Sequence, residues 1–207
     1  MEIWSHDDKL YEVNSGYSLP DDAWQYELVG LTGSPGTGPY IAVAIPDATP
    51  DGSFTPKPAR DAVVHAGGGM LPWPILANLI DVLNASGDLI EGSSELSVDT
   101  PARPLTLNVW WHGKRQFEVN TFHYGERDSW CYELYEVISG SDRNDYIEVR
   151  VPDASPAQGP FVPMPADQVT LTMHGTWSIP WPIFRRFIDA IRAAGDIVDP
   201  TAEVRPK

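Results

Sequence analysis

The sequence predicts an α+β protein made by tandem duplication: two small, mostly antiparallel β-sheet units, each with one helix packed on a sheet face. Three observations predict it. An ordered set of residues occurs twice along the chain. Each occurrence holds short alternating runs and then one apolar stripe at helical spacing. Clusters of Gly, Pro and Asp separate the runs.

The repeat joins residues 2–91 to residues 108–199. Trp4-Ser5-His6 returns as Trp110-Trp111-His112, and Tyr11-Glu12-Val13-Asn14 as Phe117-Glu118-Val119-Asn120. Trp24, Tyr26-Glu27-Leu28 and Ile45-Pro46-Asp47-Ala48 return as Trp130, Tyr132-Glu133-Leu134 and Val151-Pro152-Asp153-Ala154. Pro72-Trp73-Pro74-Ile75 returns as Pro180-Trp181-Pro182-Ile183. The offset is 106 up to Ala48, 107 from Phe54 to Ala59 and 108 from Pro72, so two single-residue insertions separate the copies. The domains expected are a first α+β repeat over 1–91, a linker over 92–104, a second repeat over 105–199 and a tail over 200–207.

In the first copy, residues 9–14 alternate, with Tyr11 and Val13 on one side and Glu12 and Asn14 on the other. Residues 3–5 read as a strand that pairs with this run in a hairpin. Residues 24–31, 40–45 and 62–65 read as three further strands, and 15–22, 33–38 and 46–58 as loops. The stretch His65-Ala66-Gly67-Gly68-Gly69 reads as a flexible connection. It is no phosphate loop, because no Lys follows and Pro72 and Pro74 remove amides that would face an anion. A helix begins near Pro72, since proline is tolerated where the first amides lack intrahelical acceptors. Ile75, Leu76, Leu79, Ile80 and Leu83 form its core stripe, and Gly87 its stop. Ile183, Phe184, Phe187, Ile188, Ile191 and Gly195 repeat the pattern.

The chain has 207 residues, 42% hydrophobic residues and eight Trp, enough for real cores. Its formal charge is −15. Nucleic acid and anionic membranes need a basic surface, so neither is expected as a partner. Residues 1–103 hold 15 acids and 4 bases, net −11; residues 104–207 hold 14 acids and 10 bases, net −4. The single cysteine, Cys131, precludes an intrachain disulfide and reads as a structural thiol. The opening residues lack a basic segment followed by an apolar one, and no apolar run approaches 18 residues. The expected location is therefore cytoplasmic, or within a virion.

The polar set that occurs twice is the leading candidate for chemistry. It comprises His6, Glu12, Asn14 and Glu27, and then His112, Glu118, Asn120 and Glu133, with Trp24 and Trp130 close by in sequence. If the strands are neighbours, two carboxylates meet on one sheet face near a His and a Trp. Such a group could do acid–base work or stack a sugar or base. The plainer reading is a solvated outer face. His6-Asp7-Asp8 offers metal donors, but no His or Cys pair has recognised ligand spacing, so no metal and no cofactor are expected. Asp47, Asp153, Asp88 and Asp196 read as turn and cap residues. No Gly-x-Ser-x-Gly motif is present.

Divergence between the copies says more. Tyr40-Ile41-Ala42-Val43-Ala44-Ile45 corresponds to Tyr146-Ile147-Glu148-Val149-Arg150-Val151, so the core side is kept while Ala42 and Ala44 become Glu148 and Arg150. Ala77 and Asn78 correspond to Arg185 and Arg186. Ala42, Ala44, Ala77 and Asn78 are therefore the interface candidates, small enough to admit another surface. The function expected is non-enzymatic protein–protein interaction, as a subunit of a larger assembly such as an accessory structural protein of a bacteriophage particle, with self-association one form of contact. A stoichiometric inhibitor or immunity protein is the alternative, its acidic half covering a basic site on a toxin or defence enzyme. A small-ligand binder or hydrolase using the His/Glu/Asn/Glu set twice is the third reading.

Overall fold

A computed structural model describes residues 1–31, 38–49, 52–90, 107–138, 145–155 and 159–198. The expected linker, residues 92–104, and the expected tail, residues 200–207, lie outside them. The protein is α+β, with two helices on one ten-stranded antiparallel sheet. The strands are β1 (Glu2–His6), β2 (Lys9–Ser18), β3 (Ala23–Gly30), β4 (Tyr40–Pro46), β5 (Val63–Pro72), β6 (Leu107–His112), β7 (Arg115–Tyr124), β8 (Ser129–Glu136), β9 (Tyr146–Pro152) and β10 (Thr170–Pro180). Helix α1 spans Trp73–Ser86 and α2 spans Trp181–Ala193. The strand order is β1-β2-β3-β4-β5-β10-β9-β8-β7-β6. The two stretches of matching sequence thus carry the same order of elements.

The two expected small sheets are joined edge to edge. β5 pairs antiparallel with β10, from Val63 opposite Pro180 to Pro72 opposite Thr170. This reverses the expectation for residues 65–69, which belong to a central strand. Glycine makes that strand feasible. Gly68 and Gly69 have φ of 79° and 129°, and a Cβ on Gly68 would stand 2.8 Å from the Gly38 carbonyl oxygen. The register shifts between Met173 and Thr176, where β10 carries one residue more than β5 between Gly69 and Gly67. The second change of offset between the matching stretches falls in this part of the sequence. β2 also runs four residues past the expected Asn14, because Ser15, Gly16, Tyr17 and Ser18 find partners from Tyr26 back to Ala23.

One face of the sheet carries the helices. Tyr11, Val13, Tyr26, Leu28, Ile41 and Val43 lie on it in the first half, and Phe117, Val119, Tyr132, Leu134, Ile147 and Val149 in the second. The expected stripes face them: Ile75, Leu76, Leu79, Ile80 and Leu83 in α1, and Ile183, Phe184, Phe187, Ile188 and Ile191 in α2, are all buried. Each such side chain contributes about 1.5–3 kcal/mol on leaving water. The helices lie antiparallel. Arg185, early in α2, donates to Asn84 Oδ1 late in α1 at 2.9 Å, while Arg192, at the end of α2, lies over the ring of Trp73, which opens α1, at 5.8 Å.

Each helix start is tied to the opposite half. Neither N-cap residue, Pro72 or Pro180, supplies a side-chain cap. The Trp73 amide instead donates to the Val169 carbonyl, and the Trp181 amide to the Ala62 carbonyl, both at 2.9 Å. At the other end Gly87 and Gly195 adopt φ of 75° and 77°, as expected of helix stops. Asp88 and Asp196, expected as caps, accept hydrogen bonds from the phenols of Tyr26 and Tyr132 and so tie each helix exit to its own sheet. The sheet is also curled: Arg115 in β7 reaches the Ser178 carbonyl in β10 at 2.7 Å, although β8 and β9 lie between them. No helix among the described residues is long and apolar enough to cross a membrane.

A seam of this kind makes the halves one cooperative unit. Ile179 is fully buried in β10. Ile179→Ala should cost about 2–5 kcal/mol. Urea unfolding followed by tryptophan fluorescence and far-UV circular dichroism should show one transition that shifts as a whole; two separating transitions would mean that the halves unfold independently.

Candidate functional site

The sheet divides the repeated polar set. β1 pairs with β2 so that Trp4 faces Tyr11 and His6 faces Lys9, which puts His6 on the helix-bearing face with Trp4. Trp24 faces Ile45 and shares that face with Tyr26 and Leu28. Glu12, Asn14 and Glu27 lie on the opposite face, which no helix among the described residues covers, with Asn14 directly opposite Glu27. The second half repeats the division: His112 and Trp130 on the helix side, Glu118, Asn120 and Glu133 on the uncovered side. Strand alternation alone forces this, because successive side chains project from opposite faces. The carboxylates share one face; the imidazole and the indole lie on the other.

The remaining candidates for chemistry have structural partners. His6, Asp7 and Asp8 make the β1–β2 hairpin, where Asp7 takes φ of 50° and Gly113 takes 59° at the matching turn. His112 is partly buried, and burial, followed by the positive charge of Arg115, holds its imidazole below the ordinary pKa. Cys131 is fully buried, and burial, followed by the charge of Glu148, raises its thiol above the ordinary pKa. A thiolate nucleophile is not poised there.

The uncovered face is built differently in the two halves. In the first, Asn14 donates to Glu12 Oε1 at 2.6 Å, and Tyr40 Oη lies 3.4 Å from Glu27 Oε1. Burial, followed by the nearby Glu27 charge, pushes the Tyr40 phenol up to about 12. Asp21 joins at the rim, accepting from Ser18 Oγ at 2.6 Å and Gln25 Nε2 at 2.9 Å. No Lys or Arg occupies a strand position on this face in the first half; Lys9, on the helix side, is the one Lys or Arg in β1–β5. In the second half Tyr135 donates to Glu118 Oε2 at 2.5 Å, and Arg150 pairs with Glu148. Among the described residues, a strand cation accompanies the carboxylates in the second half and none does in the first.

Ala42 and Ala44 do lie on the uncovered face, but they are 0% and 7% exposed. Ala42 sits beneath the longer side chains that flank it in register, Glu27 on β3 and His65 on β5. These alanines set the depth of the face; its contact groups are the residues around them. Ala77 packs partly against the core, and Asn78 is exposed on α1. At the positions matching these two, Arg185 pairs with Asp189 at 2.8 Å and Arg186 lies over the Trp110 ring at 4.5 Å. Sequence reasoning missed Trp111, which is 60% exposed on edge strand β6 and projects to the uncovered side beside Val109. The difference between Ser5 and Trp111 at matching sequence positions was the available signal.

Two turn carboxylates behave as expected. Asp47 accepts the amides of Thr49 and Thr55 at 2.8 and 3.0 Å, and Asp153 those of Ser155 and Val162 at 2.8 and 3.0 Å. The Thr49 amide is the main cause that holds Asp47 below the ordinary carboxylate range; at Asp153 burial opposes the shift, and the amides of Val162 and Ser155 outweigh it.

Two outcomes follow from this geometry. Ala42→Glu places a carboxylate opposite Glu27 and should cost about 1–3 kcal/mol in urea unfolding. Adding Ala44→Arg copies the Glu148–Arg150 pair and should recover at least half of that loss. Asp47 and Asp153 have lowered folded pKa values, so their stabilisation is present above the unfolded carboxylate value of about 3.9 and is lost as pH falls through the folded values. The midpoint of unfolding should therefore drop between about pH 5 and pH 2. Asp47→Asn with Asp153→Asn, which keeps the acceptor oxygens and removes the charges, should flatten that drop.

The chain matches no described protein family, no curated protein and no solved structure.

Proposed function

We propose that this is a non-enzymatic interaction protein, a subunit of a larger assembly, that docks a basic partner surface on the uncovered sheet face of its first half. The observation that supports this reading most is the unequal treatment of charge on two faces of like architecture. Glu12 and Glu27, with Asp21 at the rim, have no basic strand residue beside them, whereas Arg150 accompanies Glu148 in the second half. Carboxylates left without local cations repel one another and favour a cationic partner. The −11 net charge of residues 1–103 would steer such a partner toward that half. His6 and Trp24 lie on the face opposite Glu12, Asn14 and Glu27, which favours this reading over a small-ligand or hydrolytic site built from all five.

A stoichiometric inhibitor would use the same acidic face, and the size of the complex separates the two readings. Affinity capture from the native source should be run with the wild-type chain and with Glu12→Lys/Glu27→Lys, followed by size-exclusion chromatography with light scattering. A basic partner should co-elute with wild type, fall away as salt rises from about 0.1 to 1 M, and be lost with the double variant. A large particle supports an assembly subunit, and a small complex of fixed stoichiometry supports an inhibitor. Retention of the same partners by the charge-reversed variant would remove the first-half face from the mechanism.

A further inference from the structure

A second feature lies away from the uncovered face, where β7 turns into β8 and β9 ends. His123 and Asp128 lie 30 and 25 residues before Asp153, yet each of the three presents one donor atom within 4.8 Å of the other two. His123 Nε2 stands 3.4 Å from Asp128 Oδ1. A charge-assisted hydrogen bond would be shorter, about 2.7–2.9 Å. The observed separation matches the edge of a tetrahedron whose centre lies about 2.1 Å from nitrogen and oxygen donors, which is about 3.4 Å.

The backbone sets these donors before any ion arrives. Asp128 has φ of 46°, and its carbonyl accepts the Asp153 amide at 2.9 Å, so the two residues are fastened back to back. Asp153 Oδ1 accepts the amides of Ser155 and Val162, which fixes the plane of that carboxylate. The His123 ring lies 6.3 Å from the Trp130 ring, itself 5.9 Å from Phe161, so one side of the cluster is an apolar wall. His123 and Asp128 are exposed and Asp153 half-buried, which leaves the other side open to solvent.

The first half is an internal control. Tyr17, Asp22 and Asp47 occupy the matching positions. Asp22 has φ of 44°, and its carbonyl accepts the Asp47 amide at 2.8 Å. Both carboxylates therefore serve the turn in each half, and the imidazole is what the second half alone adds. One nitrogen beside two carboxylates is a donor set suited to a borderline transition ion, whereas calcium and magnesium favour all-oxygen shells.

We propose that His123, Asp128 and Asp153 bind one divalent transition-metal ion, with solvent completing its coordination. Titration calorimetry of the full chain with zinc chloride at pH 7, in a buffer that does not chelate, tests this. Wild type should take up one ion saturably. His123→Tyr, which installs the first-half residue, His123→Gln and Asp128→Asn should each weaken binding at least tenfold, since even outer-shell partners of metal ligands matter by about 10–100-fold. Thermal unfolding without zinc should stay close to wild type in His123→Gln and Asp128→Asn, and at one zinc concentration the rise in Tm should be larger for wild type than for any variant. Absence of saturable uptake, or uptake that survives both His123 substitutions, would overturn the assignment.

Discussion

The pairing of β5 with β10 is the constraint on which the rest of this structure depends. Without it, each set of five strands would end in an open edge at β5 or β10. Val64, Ala66, Leu71, Leu171 and Ile179 are buried along the two partners, and their ladder turns two edges into the centre of one sheet. The glycines of β5 are part of the same solution. Gly67 and Gly68 let the neighbouring backbone and the Thr176 side chain approach to distances that a Cβ would obstruct. The extra residue of β10 is taken up at the register shift without moving either flank out of phase.

That central pairing also explains how the helices are held. Each begins at the end of a seam strand, with a proline before it and another in its first turn. The first amide of each has no side-chain cap and meets a carbonyl from the opposite half. Each exit is fastened to its own half through a tyrosine and an aspartate. A helix thus spans from the seam to its own sheet. The halves share buried surface, backbone hydrogen bonds and the contact between α1 and α2, so a change at the seam is felt on both sides.

With both helices on one face, the other face becomes available for function. Its first half keeps Glu12 and Glu27 without strand cations, and its second half keeps Glu148 with Arg150. This difference is what the proposed docking of a basic surface rests on. The Ala42 and Ala44 substitutions seen in sequence point to the same face, but for another reason than expected: the alanines are covered by their own neighbours, and the charges around them meet the solvent. Trp111, exposed beside Val109 on the edge strand, gives the second half an apolar outer corner where Ser5 stands in the first.

Much of this was legible in the chain itself. Local periodicity fixed the helix stripes, the Pro-containing starts, the glycine stops and all five strands of the first half, β2 and β5 only in part, because these depend on neighbours within a few residues. Alternation also carried the face of Glu12 and Asn14. Alternation within β1 and β3 could not place His6 and Trp24 relative to those residues, since only the register of β1 with β2 and of β2 with β3 relates one strand's faces to another's. The joining of two sheets into one depended on contacts about 100 residues apart, which no local pattern reports. The same holds for His123, Asp128 and Asp153, whose spacing along the chain resembles no ligand motif. The sequence by itself determined the elements and their buried sides, through spacing and turn chemistry; tertiary structure alone decided which strands meet at the seam and which polar groups share a face, because those are long-range pairings whose loop closure is stabilised only once the whole sheet forms.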